Sequence, residues 1–399
     1  MKLIKSETKN NVLKSMMNIL DKRREEIIAA NKKDLDAFNK EDQAMYDRLI
    51  VNDKKVDGMI QSVQEVMDQD DPVGKIIEHK KLDTGLDITN KTAPFGNIMI
   101  IYESRPDVTI EAAVLAFKAN NKIYLKGGKE AINSNKILEG CWHEALKENG
   151  LDTNWIELLH LDRNATQEFL KNPPEQLDLI VPRGGERLIA FVKEHSTGAV
   201  LVSGRGNNFL YLSKNADFEV AKKVMLNAKI DKISGCNALD KVLIDKNLPD
   251  FENKVKELYD MFTENKVNIL VDDDVAKVLP KEEKIPSEET WYEEFLAMRI
   301  VLGAIDGTKA AIEKINKYSG GHSSVIITKD KDEAATFMEQ VDSAAVYHNA
   351  STRFTDGGQM GAGAELAIST DKLHHRGPLG LKQLVTNKYY VLGEGHIRE

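Results

Sequence analysis

The stretch NIMIIYESRPDVTIEAAVLAFKANNKIYLKGGK, residues 97–129, decides the fold. It contains two short uninterrupted apolar runs, 98–102 and 123–125, of the kind carried by strands buried on both faces. Between them Ile110, Ala113, Val114 and Phe117 recur at helical spacing. Strand, helix and strand in succession make one unit of a parallel sheet. Working outward, Ile137, Leu138, Cys141, Trp142, Ala145 and Leu146 mark another helix, and 179–181, 200–202 and 209–212 read as further strands. A second set follows Cys236, with strands at 242–244, 267–271, 300–302 and 325–327 separated by helical patterns. The reading is an α/β chain of two doubly wound α/β domains.

Upstream, residues 11–70 carry an apolar stripe at Leu13, Met16, Met17 and Leu20, which predicts opening amphipathic helices that pack on their own core. Two segments fit neither domain: 82–92 and 384–398 read as exposed antiparallel strands. An exposed apolar edge recruits a partner strand, so a second subunit is expected to cover it.

Composition narrows the function. At 399 residues with 41% hydrophobic and 30% charged side chains, the chain is globular and long enough for two or three domains. A net charge of −9, with the acidic residues spread along the chain, argues against nucleic acid as a partner. Two cysteines, Cys141 and Cys236, cannot build a disulfide framework, which points to a reducing, cytoplasmic compartment. No stretch approaches 18 uncharged apolar residues, and the first 21 do not read as a signal peptide, so no membrane association is expected.

The common phosphate loop, HExxH, CxxC, GxSxG and a strand-linked GxGxxG are absent from the sequence, and no metal site is expected. Ser234-Gly235-Cys236-Asn237-Ala238 offers a cysteine among small neighbours, which suits a nucleophilic thiolate as well as an inert thiol. Cys141 shares the stripe of its helix and reads as core. Glycines beside cations close three apolar runs: Lys126-Gly127-Gly128-Lys129, Arg183-Gly184-Gly185 and Gly204-Arg205-Gly206. Open α/β sheets bind ligands at such strand ends, and a flexible backbone beside a cation suits phosphate. Residues 349–363 gather glycines and small polar groups around Arg353, which suits a loop closing over a carboxylate or acyl group. His374 and His375, adjacent and pointing different ways, make a poor metal pair and read as loop.

These motifs together resemble those of the gamma-glutamyl phosphate reductases, also called glutamate-5-semialdehyde dehydrogenases, a branch of the aldehyde dehydrogenase superfamily. The resemblance rests on residues 101–109 (IYESRPDVT), Lys126-Gly127-Gly128 with Glu130-Ala131 and Ser134-Asn135, Val181-Pro182-Arg183-Gly184-Gly185, and Gly235-Cys236-Asn237-Ala238. The run 349–354 with Lys372-Leu373-His374 and Arg376-Gly377-Pro378 completes it. It spans nearly the whole chain, and its last block is peculiar to this branch.

The resemblance implies an aldehyde dehydrogenase-like fold. The cofactor-binding domain is expected at 1–80 and 95–203, the catalytic domain at 204–377, and a small β oligomerisation ribbon at 81–94 and 378–399. Cys236 stands where the family has its nucleophile, and its thiolate would attack L-glutamyl 5-phosphate, expel phosphate and leave a thioester. NADPH would deliver hydride, the product being L-glutamate 5-semialdehyde in the second step of proline biosynthesis. Its backbone N–H is the natural first oxyanion donor. Arg105 stands where the oxidising members hold the oxyanion with an asparagine, and could bind the acyl phosphate or the substrate carboxylate. Asn237, Ser351, Thr352 and Arg353 are the further substrate-binding candidates. Ser203 replaces the glutamate that activates water in those members, which spares the thioester. Lys126 matches the lysine at the adenosine ribose, where a cation suits the 2′-phosphate of NADPH. Glu294 matches the acid at the nicotinamide ribose, and Arg183, Gly184 and Gly185 the loop beside the pyrophosphate. A homo-oligomer, dimer or tetramer, is implied, and the lability of the acyl phosphate makes glutamate 5-kinase an expected transient partner.

Two competing readings are separable. An acyl-CoA reductase of the same superfamily would need CoA where this one needs phosphate. A catalytically inert binding relative is disfavoured by intact Cys236, Lys126 and Glu294.

Overall fold

The Leu13, Met16 and Leu20 stripe is fully buried on α1 (Ser6–Lys22) in the computed structural model, which describes residues 2–39 and 43–398. Three more helices follow: α2 (Arg24–Ala37), α3 (Gln43–Leu49) and α4 (Asp53–Asp68). The last begins where the Asn52 side chain accepts the Lys55 N–H. A hairpin comes next, β1 (Ile76–Lys81) and β2 (Asp87–Pro94). Then strand and helix alternate through β3 (Asn97–Tyr102), α5 (Val108–Lys118), β4 (Lys122–Lys126), α6 (Ile132–Glu148), β5 (Ile156–Leu158), α7 (Arg163–Lys171), β6 (Leu179–Arg183) and α8 (Glu186–His195).

The four strands form a parallel sheet in the order β5-β4-β3-β6. Its apolar runs are continuous because alternate residues feed different cores. Ile98, Ile100, Ile123 and Leu125 pack with Phe117 and Trp142, while Met99, Ile101, Tyr124 and Ile180 pack with Leu170 and Val192. Cys141 lies buried on α6, and burial pushes its thiol up to about 11. The register sets Lys126 opposite Ile101 and Arg183 opposite Tyr102, so both cations stand at neighbouring carboxyl ends.

The next elements are β7 (Asn208–Leu212), α9 (Phe218–Ile230), β8 (Leu239–Asp245), α10 (Phe251–Glu264), β9 (Asn268–Val271) and β10 (Glu283–Lys284). They continue through β11 (Arg299–Ile305), α11 (Gly307–Tyr318), β12 (Ser323–Ile327), α12 (Lys331–Gln340) and β13 (Ala345–His348). Asp217 and Asp330 cap α9 and α12. All seven strands run parallel in the order β10-β9-β11-β8-β7-β12-β13, and the sheet again feeds two apolar clusters.

The chain ends through β14 (Glu365–Ser369), β15 (Gly377–Gly380) and β16 (Val385–Leu392). By packing, residues 1–202, 361–367 and 379–399 make one unit, and 203–360 and 368–378 the other. Among the described residues no helix is long and apolar enough to cross a membrane.

The structure corrects four boundaries read from the sequence. Residues 200–202 are not a strand: Val200 makes one parallel bridge to Ile180, after which the glycine-rich 203–206 leaves the ladder. The third glycine pair therefore closes no strand. β7 opens the second sheet rather than ending the first, since its neighbours are β8 and β12. Residues 82–86 are the turn of a hairpin, with Gly85 at φ 92° and its N–H donating to Leu82 O, so the strand begins at Asp87. The tail strand is Val385–Leu392, and 393–398 are outside it. β16 pairs antiparallel with β2, giving a three-stranded ribbon β1-β2-β16. Tyr389, Val391 and Leu392 on it are 58%, 53% and 69% exposed, an apolar surface that solvent alone does not favour.

Candidate active site

In the second unit, Cys236 lies half-buried in the segment joining α9 to β8. Two successive turns shape that segment, Gly235 N–H donating to Lys232 O and Ala238 N–H to Gly235 O, each at 3.0 Å. Asn208 holds it from below: its amide donates to Cys236 O at 2.8 Å and Ala238 O at 2.6 Å, while its oxygen accepts the Ser323 N–H at 3.0 Å. Gly206 packs against the same turn so closely that a Cβ there would overlap the Cys236 carbonyl.

His322, the residue before β12, puts its Nε2 3.2 Å from Cys236 Sγ. The imidazole is fully buried, and burial pulls it down to about 4, so it is neutral near pH 7. Its Nδ1 lies 2.8 Å from Ser323 Oγ, which lies 2.7 Å from Thr355 Oγ1.

The predicted substrate residues Asn237, Ser351, Thr352 and Arg353 come together beside the cysteine, though mostly in contact with one another. Asn237 donates to Thr355 O at 2.9 Å and Arg353 O at 3.2 Å, and its oxygen accepts from Arg353. Thr352 Oγ1 donates to Asn237 O at 2.7 Å, and Ser351 Oγ accepts the Arg353 N–H. Asn237 and Thr352 thus clamp the 351–355 turn onto the cysteine segment, while Ser351 caps the turn itself. Arg353, paired with Asp231 at 2.9 Å, lines a cleft of about 310 Å³ with Asn227, Asp231, Phe354, Asp356 and Gln359.

Glu294, also in this unit, follows the helical turn Glu288–Trp291, and buried charges fix both its neighbours. Lys229 Nζ pairs with Asp240 Oδ1 at 2.8 Å, and Asp240 Oδ2 accepts the Phe295 N–H at 2.9 Å. Lys241 Nζ donates to Glu293 O at 2.8 Å and sits 3.6 Å over the Phe295 ring. Burial pulls this ammonium down to about 8 against the opposing pull of Asp240.

The remaining predicted residues belong to the first unit. Lys126 ends β4, half-buried, with Nζ on Gly127 O at 2.8 Å; burial pulls it down and Glu130 partly restores it. Arg183 ends β6, followed by Gly184 and Gly185, with its guanidinium buried. Its Nη1 has no hydrogen-bond partner among the described residues. Two cations and two glycine turns at adjoining carboxyl ends, one with an orphaned buried donor, fit a phosphate-bearing ligand. Arg105 lies in the turn before α5, with Nη2 3.4 Å from Asp107 Oδ2, an oxygen that also holds Lys55 at 2.8 Å. Burial pushes Asp107 up, but Arg105 and Lys55 outweigh it and hold the carboxyl below its usual range. Ser104 adopts φ 42° in this turn, and Glu130 Oε1 accepts from both its N–H and its hydroxyl.

Ser203 opens the second unit, and His374 and His375 lie in the loop before β15, with His375 Nε2 3.1 Å from Pro378 O. Among the described residues no three His, Cys, Asp or Glu are placed to hold a metal ion. Sequence reasoning missed His322 and Asn208. The first had a signal: Gly320-Gly321-His322-Ser323-Ser324 puts a glycine pair and three polar residues directly before an apolar run. Asn208 had none, since an asparagine opening a strand is ordinary.

No protein-family model matches the chain. A gamma-glutamyl phosphate reductase of Dictyoglomus thermophilum is 39% identical over 400 residues, covering 100% of this chain and 95% of that protein. The crystal structure of gamma-glutamyl phosphate reductase from Thermotoga maritima superposes with a TM-score of 0.94 at 38% identity, over 99% of this chain and 95% of that one. An acetylating aldehyde dehydrogenase from Geobacillus thermoglucosidasius shares the fold, with a TM-score of 0.69 at 17% identity over 99% and 94% of the two chains. The fold is thus aldehyde dehydrogenase-like, as its motifs led one to expect.

Proposed function

The chain belongs to the gamma-glutamyl phosphate reductases, oxidoreductases acting on a semialdehyde, and on that premise we propose that it reduces L-glutamyl 5-phosphate to L-glutamate 5-semialdehyde through a thioester on Cys236. The observation that carries the thioester is the sulfur itself, half-buried, 3.2 Å from a neutral imidazole and fixed from below by Asn208. The Cys236 sulfur attacks the acyl carbon and phosphate leaves with the bonding pair. The backbone N–H of Cys236 is the first donor to the oxyanion that develops in this step and in the reduction. When bound, NADPH supplies the hydride that converts the thioester to a thiohemiacetal. That adduct collapses, the sulfur keeps the C–S pair and the aldehyde departs.

Lys126 would hold the cofactor's 2′-phosphate side, Arg183 with Gly184 and Gly185 the pyrophosphate, and Glu294 the nicotinamide ribose. Arg105 and Arg353 are the guanidinium groups offered to substrate anions. Ser203 supplies no base to activate water, which spares the thioester for reduction. The cofactor-binding role falls to 1–80 and 95–203, the catalytic role to 204–377, and oligomerisation to 81–94 and 378–399. The exposed apolar strand β16 is covered by a second copy of the chain, giving a homodimer or tetramer. The step is the second from glutamate to proline in the cytoplasm, with glutamate 5-kinase a transient neighbour.

Oxidation of the semialdehyde by NADP, assayed with inorganic phosphate and separately with CoA, tests the reading. Dependence on phosphate supports it; dependence on CoA overturns it.

A further inference from the structure

The imidazole beside Cys236 presents a chemical difficulty. A base that takes the thiol proton and keeps it must become imidazolium, yet His322 is fully enclosed and burial opposes that charge. The groups behind it resolve the difficulty. His322 Nδ1 lies 2.8 Å from Ser323 Oγ, Ser323 Oγ 2.7 Å from Thr355 Oγ1, and Thr355 Oγ1 2.8 Å from the Tyr347 hydroxyl. Three separate elements supply this chain: the start of β12, the 351–355 turn and β13. Ser323 and Thr355 are fully buried, whereas Tyr347 is only half-buried. Every link has one proton to give and a lone pair to receive, so the protons can all point outward or all inward.

Resting on the thioester reading, we propose that His322, Ser323, Thr355 and Tyr347 form a proton relay that carries the Cys236 proton out as the sulfur attacks and returns one as the aldehyde leaves. In attack the S–H bond breaks and the S–C bond forms; Nε2 gains that proton while Nδ1 passes its own to Ser323. Each hydroxyl then hands one proton to the next, and Tyr347 releases one to solvent. The leaving phosphate carries the C–O pair away. Hydride addition leaves the thiohemiacetal as its oxyanion; when that collapses the C=O bond re-forms, the sulfur keeps the C–S pair as thiolate, and one proton enters at Tyr347 and moves inward to it. Each bond of the relay is thereby reset once per cycle, and no link holds a charge between passages. Burial pushes the Tyr347 phenol up, so it remains an O–H across the working range. Arg353 faces the cysteine segment through Asn237 and pairs with Asp231.

The test measures first-turnover NADPH formation from semialdehyde and NADP in mixtures of H2O and D2O, for wild type, Thr355→Val, Thr355→Ser and Tyr347→Phe. Several protons in flight give the wild type a bowed dependence on deuterium fraction. Thr355→Val keeps the shape and removes the hydroxyl, so the rate falls about 10²-fold, within the span of acid–base contributions, and the dependence becomes linear. Thr355→Ser restores most of that rate and the bow. Should Thr355→Val not fold, Tyr347→Phe decides by the same curvature. A rate unchanged in Thr355→Val or Tyr347→Phe, or one that falls while the bowed dependence persists, overturns the relay. Turnover in Cys236→Ala would overturn the thioester reading instead, so the two failures are distinguishable.

Discussion

Lys229 and Asp240 form an ion pair of 2.8 Å in which neither side chain is more than 2% exposed. The second oxygen of Asp240 accepts the Phe295 N–H, so the pair also fixes the residue next to Glu294. Removing one partner leaves an uncompensated buried charge, and Asp240→Ala is expected to lower stability by about 3–5 kcal/mol. Urea unfolding of the variant checks the loss. A loss within about 0.5 kcal/mol, the range of ordinary surface changes, would contradict the role given to the pair.

Lys126 ends β4 with its ammonium half-buried beside Glu130. If it meets the 2′-phosphate, Lys126→Ala weakens NADPH more than NADH, by about tenfold for one lost charge-assisted hydrogen bond. Fluorescence titration of both nucleotides decides the point. Equal weakening would remove the 2′-phosphate role.

His322 and Lys241 give the protein pH signatures of the same sign in two separate windows. The folded pKa of His322, about 4, lies below the unfolded value of about 6.5. The unfolded chain therefore binds the extra proton between those values. Stability is full above pH 6.5 and falls as the pH drops toward 4, by about 3 kcal/mol from this group. Lys241 is likewise depressed, to about 8 from 10.5, so stability rises as the pH climbs through that window. Unfolding midpoints across pH 4 to 7 for wild type and His322→Gln measure the acid side. The variant is expected to lack that part of the loss, and equal slopes would contradict the assignment.

Gly206 admits no Cβ, because one would overlap the Cys236 carbonyl. Gly206→Ala must displace the cysteine turn, at about 1–3 kcal/mol of stability. Alkylation of Cys236 by iodoacetamide is expected to slow as the sulfur loses its place beside His322, with buried Cys141 as an internal control. Unaltered alkylation and stability would contradict the tight fit.

The sequence revealed what periodicity and local chemistry encode. Strands at 98–102 and 123–125 were legible because residues buried on both faces must be apolar throughout, and the helix between them because one face is. The strand Ile76–Lys81 was hidden, since Ile76-Ile77-Glu78-His79-Lys80-Lys81 does not alternate and every residue is exposed. Cys236 stood out among small neighbours, but its partners come from the start of β7 and the residue before β12, 28 and 86 residues away. A parallel sheet brings such residues together through its strand order, which local patterning does not contain. Asn237 and Thr352 stand among the substrate-binding candidates that the resemblance implies. The structure shows them bonded to each other's segments, an arrangement visible only once the turn is folded onto the cysteine.

The most direct test of the central claim is the NADPH formed from L-glutamate 5-semialdehyde and NADP without phosphate, counted against protein in the first turnover. A thioester on Cys236 with no base to activate water predicts one NADPH per chain and then a halt, resumption when phosphate is added, and no NADPH from Cys236→Ala. Continuous turnover without phosphate, or a burst that survives Cys236→Ala, would contradict it.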